Sequence, residues 1–126
     1  QYRGDGIVVS TATGSTAYSL SLGGAILSPS SKNMIMKPIA AHTSLMGGLV
    51  TQEDVTISLK ASSNEDLSIS VDGFIDNKIE DFDQIDVEID KENNAFFIRS
   101  ENFQNLYWSS LAQKLDLRKG DSLSGK

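Results

Sequence analysis

Cysteine is absent from all 126 residues. That removes disulfide cross-links, thiolate metal sites and cysteine nucleophiles together, and it suits a reducing compartment. Positive charge is scarce: 11 Lys and Arg stand against 17 Asp and Glu, for a formal net charge of −6. With no basic patch to neutralise phosphates, nucleic acid is disfavoured as a partner, and so is an anionic membrane surface for the same reason. No apolar run approaches the ~20 residues of a membrane-spanning helix, and no secretory signal is visible. The expectation is a cytoplasmic protein that binds neither nucleic acid nor membrane. Two familiar nucleotide signatures are also missing, G-x-x-x-x-G-K-[ST] and a G-x-G-x-x-G set in a βαβ unit. A nucleotide would have to be held by another arrangement.

What remains has the composition of a soluble domain, 39% hydrophobic and 22% charged. The length suffices for one core without covalent staples. The chain opens on Gln1 and a turn rather than on Met, which reads as a piece of something longer.

The pattern along the chain is mainly β. Ile7–Ser10 is a β-branched run after Gly4-Asp5-Gly6 and predicts a strand. Apolar residues then recur at helical spacing from Thr16 to about Gly24, with Gly14 or Ser15 placed to cap the start. Met34–Ile39 is apolar but holds Pro38, which places it at a sheet edge. Val55–Leu59, Leu67–Val71 and Ile85–Asp90 alternate as half-buried strands do, and Ala95–Arg99 adds another after an Asn93-Asn94 turn. Phe103, Tyr107, Leu111 and Leu115 mark a short C-terminal amphipathic helix, and the tail from Arg118 reads as frayed. The fold class expected is an antiparallel β-sandwich or meander with one helix after the TGSTAY segment and a short helix at the end.

The chemistry concentrates in one place. Thr11, Thr13, Ser15, Thr16, Ser19 and Ser21 fall within eleven residues. A helix start there would offer unpaired N–H groups to an anionic or acceptor-rich ligand. Ala17, Gly23 and Gly24 permit close approach, and Tyr18 offers a face on which a base can stack. A capped helix packed tightly on the sheet explains the same residues, because Ser and Thr favour caps. Elsewhere, His42, the lone histidine, reads as structural. The acids between Asp76 and Glu92 alternate with Ile85, Val87 and Ile89, so they form the wet face of a strand rather than a metal site.

The run GDGIVVSTATGSTAYSLSLGGAILSP, residues 4–29, closely resembles the nucleotide-binding segment of NAD kinases. The likeness continues through MKPIAAHTSL, ISVDGF and YWSSLAQKLDL, and so covers essentially the whole chain. It implies that residues 1–126 are the C-terminal, NAD-binding domain of an NAD kinase, an enzyme that transfers the terminal phosphate of ATP, or of polyphosphate in some members, to the 2′-hydroxyl of the NAD adenosine ribose. By the same resemblance Asp5, Thr16, Ala17, Tyr18, Ser19, Leu20 and Ser21 line the dinucleotide pocket, with Arg3, Thr13, Ala40 and His42 contributing. The family's catalytic aspartate belongs to a GGDG motif on a separate N-terminal α/β domain. Here Arg3-Gly4-Asp5-Gly6 lacks the doubled glycine and leads straight into the STATGSTAY strand, so Asp5 is assigned to binding and no catalytic residue to this chain. Magnesium is expected with ATP, bound mainly through the full-length enzyme, and the chain by itself is expected to be inactive. Exposed strand edges imply a homo-oligomer, a dimer or tetramer. Three departures stand out: Ala12 where proline is usual, Met46-Gly47-Gly48 in place of Asn-Arg-Pro, and Phe74 in place of a glutamine. Competing readings are a lipid- or diacylglycerol-kinase-like domain and a non-catalytic β-sandwich that binds a partner.

Overall fold

The computed structural model describes residues 1, 3–42, 48–93 and 102–116. The strand expected at 95–99, residue 94 of the turn before it, Met46-Gly47 and the tail from Arg118 lie outside the described residues. The chain divides into two compact units, Gln1–Lys91 and Glu92–Lys126. Strands dominate the first: β1 (Gly6–Thr11), β2 (Met34–Ile39), β3 (Leu49–Thr51), β4 (Ile57–Lys60), β5 (Leu67–Val71), β6 (Phe74–Ile79) and β7 (Gln84–Val87). Its helical content is a 3-10 turn at Gly14–Thr16 and a short helix α1 (Tyr18–Ser21). The second unit holds helix α2 (Phe103–Lys114). The described strand pairings are all antiparallel, and the chain is mainly β as expected.

Strands β1, β2 and β3 form one sheet in that order, so β2 is its central strand. This corrects the expectation that Pro38 confines Met34–Ile39 to an edge. The Asp5 N–H donates to the Ile39 carbonyl at 2.9 Å, so Ile39 turns its backbone toward β1. Backbone groups alternate along an antiparallel strand, and Pro38 therefore turns toward β3. There the ladder stops at Met36↔Leu49, short of Pro38, and no strand donor is lost. Met34 and Ile35 supply the buried apolar centre of this sheet.

Residues 57–87 fold back on themselves as one long ribbon. β4 pairs with β7 from Ile57↔Val87 to Lys60↔Gln84, and β5 pairs with β6 from Leu67↔Ile79 to Val71↔Phe74. The tip is Asp72-Gly73, with φ of 51° and 76°. Positive φ at both central residues is the primed turn that matches strand twist, which is why Asp-Gly suits it. Between the two ladders Phe82 N–H donates to the Ala61 carbonyl at 2.8 Å, and the Asp81 carboxylate accepts from Ser63 N–H at 2.9 Å and from the Ser62 hydroxyl at 3.2 Å. These bonds carry the ribbon through its irregular middle.

On β7 the side chains of Ile85 and Val87 are half-buried while Gln84 and Asp86 face water, the alternation read from the sequence. The strand is shorter than expected, ending at Val87. In α2 the side chains of Tyr107 and Leu111 are half-buried, as is Leu115 at its C-cap, while Leu106 and Trp108 are exposed and the Tyr107 and Trp108 rings meet edge to face at 5.2 Å.

The Asp86 carboxyl is held below its ordinary range by a hydrogen bond from Ser58, its cross-strand partner, and next by Gln84, whose amide reaches both oxygens at 3.0 and 3.1 Å. A lowered folded-state pKa means that the carboxylate favours the folded ribbon above the ordinary carboxylate pKa and loses this effect as pH falls through the folded value. An NMR titration of Ser58→Ala should show the Asp86 midpoint rising toward that of a free carboxylate; an unmoved midpoint would show that the cross-strand hydroxyl is not the cause.

Candidate functional site

The hydroxyl-rich segment leaves β1 at Thr11 and turns at once. Ala12 is buried, and the Ser15 N–H donates to its carbonyl at 3.3 Å. Gly14 lies against Ser10: a Cβ placed there would come within 3.1 Å of the Ser10 Cβ. The 3-10 turn ends at Ala17, whose φ and ψ of −99° and −127° redirect the chain into α1. No side chain caps either start.

This differs from the expected helix over 16–24. Only Tyr18–Ser21 is α-helical, four residues, too short to present an aligned dipole to a ligand. The reason lies in Ser15. Rather than capping, it is 0% exposed, its hydroxyl donating to the Ala12 carbonyl at 2.6 Å and accepting from Leu27 N–H at 3.0 Å. A side chain spent on closing the loop at both ends cannot also hold a helix start.

Gly23 and Gly24 close the other side. Gly23 has φ of +77°, and Gly24 N–H donates to the Ser19 carbonyl at 2.8 Å. A Cβ on Gly24 would come within 2.5 Å of the Ser19 hydroxyl and 2.7 Å of its carbonyl oxygen, so only glycine fits. Ser19 is itself 0% exposed, and its hydroxyl has no partner among the described residues. Of the residues expected to line a pocket, Ser19 therefore turns its side chain into the loop interior. Thr13, Ala17 and Ser21 are exposed, Thr16 and Leu20 are half-buried, and Tyr18 is 56% exposed. The Thr16 hydroxyl leans back on the Thr13 carbonyl at 3.3 Å.

The remaining expected residues gather before β1. His42 N–H donates to the Arg3 carbonyl at 2.9 Å, and Asp5 N–H to the Ile39 carbonyl, which brings Arg3, Asp5, Ala40 and His42 together. Gly6 also faces Ile39 in the ladder, so two residues oppose one, as in a bulge. Ala40 absorbs the distortion with φ of 46°, an uncommon conformation for a residue with a Cβ that costs on the order of 1 kcal/mol. All four side chains are exposed, and neither the Arg3 guanidinium nor the Asp5 carboxylate is ion-paired among the described residues. The expected residues thus form two groups, one preceding β1 and one following it, and no hydrogen bond among the described residues joins them. Both groups leave donors, acceptors and, at Tyr18, an aromatic face open to a ligand.

Among the described residues no three His, Asp or Glu side chains are grouped to hold a metal ion. A shallow cleft of about 110 Å³ lies elsewhere, lined by Glu53, Asp54, Glu88 and Lys91 among others, and it touches none of the expected residues. Lys37 on β2 went unremarked in the sequence, although a lone cation inside the apolar run Met34–Ile39 was a visible signal; it is only 4% exposed.

Comparison with known proteins bears on the chain as a whole. The family described as the ATP-NAD kinase C-terminal domain matches residues 1–99. An NAD kinase of Dehalococcoides mccartyi is 35% identical over 115 residues, covering 90% of this chain and 39% of the relative. One of Caldanaerobacter subterraneus is 38% identical over 115 residues, covering 90% of this chain and 41% of that protein. Among solved structures, yeast NADH kinase complexed with NADH superposes with a TM-score of 0.64 at 25% identity, covering 98% of this chain and 38% of that one. The chain spans about two fifths of the length of the curated relatives it matches.

The closed loop makes a prediction about stability. Ser15→Ala leaves the Leu27 N–H without its acceptor, and a part-buried unsatisfied group costs about 1–3 kcal/mol. Gly24→Ala should cost about as much or more through its collision with Ser19, whereas Gly23→Ala meets no atom within 4 Å and carries only the conformational cost of a positive φ, about 1–2 kcal/mol. Urea unfolding of the three variants checks the order; Gly23→Ala proving the most damaging would contradict it.

Proposed function

The chain belongs to the ATP-NAD kinase C-terminal domain family, and from that premise we propose that it is the dinucleotide-binding part of an NAD kinase. In this reading it holds NAD while the terminal phosphate of ATP, or of polyphosphate, passes to the 2′-hydroxyl of the adenosine ribose. The observation that carries the proposal is the TGSTAYS loop: closed from within by Ser15, it leaves the Tyr18 ring and the Thr13 and Ser21 side chains facing outward.

The residues divide the work by their chemistry. Tyr18 gives adenine a flat, partly dry surface, worth about 0.5–1.5 kcal/mol beyond buried area when rings stack. Thr13, Thr16, Ser21 and the turn's backbone carry donors and acceptors that match base edges and ribose hydroxyls. Leu20 and Ala17 add apolar wall. Ser19 acts from inside the loop, fixing its shape against Gly24 rather than touching the ligand. On the other side of β1 the Asp5 carboxylate accepts from hydroxyl or amide groups, while Arg3 and His42 offer positive or donor groups to phosphate, positioned by the Ala40 bulge.

Phosphoryl transfer relies on positioning, charge stabilisation and a base for the attacking hydroxyl. The proposal gives this chain the positioning and leaves the base to an aspartate of another domain of the full-length protein. Magnesium would accompany the phosphates of ATP. The described residues do not fit a metal site of their own, and the reading assigns them none. A cytoplasmic, homo-oligomeric protein completes the proposal. No helix among the described residues is long and apolar enough to cross a membrane.

Steady-state kinetics of the full-length protein tests the assignment. Asp5→Asn should raise KM for NAD about tenfold or more, the worth of a hydrogen bond to a charged group, and leave KM for ATP nearly unchanged. A large fall in kcat at constant KM would instead make Asp5 a participant in the transition state. The chain of 126 residues on its own should form no NADP from NAD and ATP; turnover by it would overturn the division of labour.

A further inference from the structure

The sequence contains two Asp-Gly steps, Asp5-Gly6 and Asp72-Gly73, and no Asn-Gly. Aspartate followed by glycine is a pairing at which a peptide backbone rearranges readily. Glycine has no side chain to shield its own amide nitrogen, and that nitrogen and the aspartyl carboxyl carbon can close a five-membered ring. The two steps stand in opposite surroundings.

Asp5-Gly6 is tied down. The Asp5 N–H donates to the Ile39 carbonyl, and Gly6 enters the β1–β2 ladder opposite Ile39, where a Cβ would lie 3.4 Å from the Ile39 Cδ1. Asp72-Gly73 is the tip of the β5–β6 ribbon, and both residues are exposed. A Cβ on Gly73 would meet no atom within 4 Å, and the Gly73 N–H makes no hydrogen bond among the described residues. The Asp72 carboxylate is equally free there. Its neighbours on the ribbon are engaged: Asp66 holds Lys78, Asp81 holds Ser62 and Ser63, and Asp83 holds the Glu80 N–H.

The tip is also weakly fastened. The β5–β6 register shifts between Ile69 and Val71, which sets the Val71↔Phe74 pair beside the turn apart from the ladder behind it. Val71 is 63% and Phe74 77% exposed, so little burial holds that pair. A two-stranded ribbon is marginal by itself, and segments with few buried contacts open first. Opening releases the backbone of Asp72 from its turn conformation and lets the Gly73 nitrogen reach the carboxyl group.

We propose that Asp72-Gly73 is a site of spontaneous isomerisation to isoaspartate through a cyclic imide. The Gly73 amide nitrogen attacks Cγ of the Asp72 carboxyl group in its acid form. A C–N bond forms and the Cγ–OH bond breaks, and water leaves with that hydroxyl and the amide proton. Water then reopens the ring. Cleavage between nitrogen and Cγ restores aspartate; cleavage between nitrogen and the Asp72 main-chain carbonyl carbon leaves isoaspartate, with the chain running through Cγ. No oxidant or reductant enters, and the water lost is regained. The product has one more methylene in its backbone, which the two-residue primed turn does not accommodate, so the Val71↔Phe74 pair is lost. It also bears a free α-carboxylate, the group that an isoaspartate-specific carboxyl methyltransferase esterifies. The proposal is independent of the NAD kinase reading.

The test holds the full-length protein for weeks at neutral pH and body temperature, folded and in urea, and measures isoaspartate site by site. Methyl transfer from S-adenosylmethionine by such a methyltransferase gives the total. Peptide mapping, in which the isomer elutes apart at unchanged mass, gives the position. In urea both Asp-Gly steps should convert at comparable rates, whereas in the folded protein Asp72 should keep most of its rate and Asp5 lose its own severalfold or more. A ratio of the two sites unchanged by folding, or protection of Asp72 as deep as that of Asp5, overturns the proposal. Asp72→Asn keeps a residue pair that favours this turn and should convert faster, because ammonia leaves an amide more readily than water leaves a carboxylate. No gain in rate at residue 72 in that variant excludes the imide route and overturns the proposal as well.

Discussion

The hydroxyl of Ser15 holds the loop that follows β1 in a single shape. Donating to Ala12 and accepting from Leu27, twelve residues further along from Ser15, it ties the two ends of the loop with one small side chain. Inside the resulting ring there is room for little else, which is why Gly14 presses on Ser10 and Gly24 on Ser19. Closure from within frees the outer surface. Side chains that would otherwise cap, bridge or fill are released to face water, and Tyr18 stands 56% exposed on a one-turn helix. A backbone tied by its own hydrogen bonds and carrying an exposed aromatic face suits binding, because less order remains to be imposed by the ligand.

The sheet beneath imposes a second constraint. Its centre is β2, a strand that carries a proline, a buried lysine and, just past its end, an alanine in left-handed conformation. Each is unfavourable in an ordinary central strand. Pro38 escapes because pairing on its side has already stopped. Ala40 is held by the bonds that tie Arg3 to His42 and Asp5 to Ile39. Lys37 buries its stem, while its ammonium is not among the side-chain atoms buried without a partner. These local departures from the rules of stable folding lie on or just beyond the strand that borders the candidate site.

Much of the fold was legible because alternation and turn chemistry acted locally. β1, β5 and α2 stand where their patterns put them, and Asp86 on β7, with Glu88 and Asp90 just beyond it, is exposed as alternation requires. Three elements were not legible, for separable reasons. β3 is three residues long, too short for any period to register. β6 follows the Asp72-Gly73 turn, but its own stretch Phe74–Ile79 mixes Asp, Asn and Lys with its apolar residues and shows no clean alternation. The helix after the hydroxyl patch shrank to one turn because spacing alone cannot tell a serine that caps from one that bridges to Leu27. At the site, the TGSTAYS segment was legible by resemblance, while its interior was not: that Ser19 points inward follows from Gly24 across the ring. The centrality of β2 depends on which way a proline's backbone turns, and that is decided by the partner strands.

The central claim is that the outer surface of the Ser15-closed loop receives the dinucleotide. It is tested most directly by titrating NAD into the isotope-labelled full-length protein and following backbone amide resonances. Shifts should concentrate at residues 13–21 and at 3–5 and 40–42, with Gly24 and Leu27 responding as the ring tightens. Saturable shifts confined to other surfaces, such as the cleft around Glu53 and Glu88, with residues 13–21 unmoved, would contradict it.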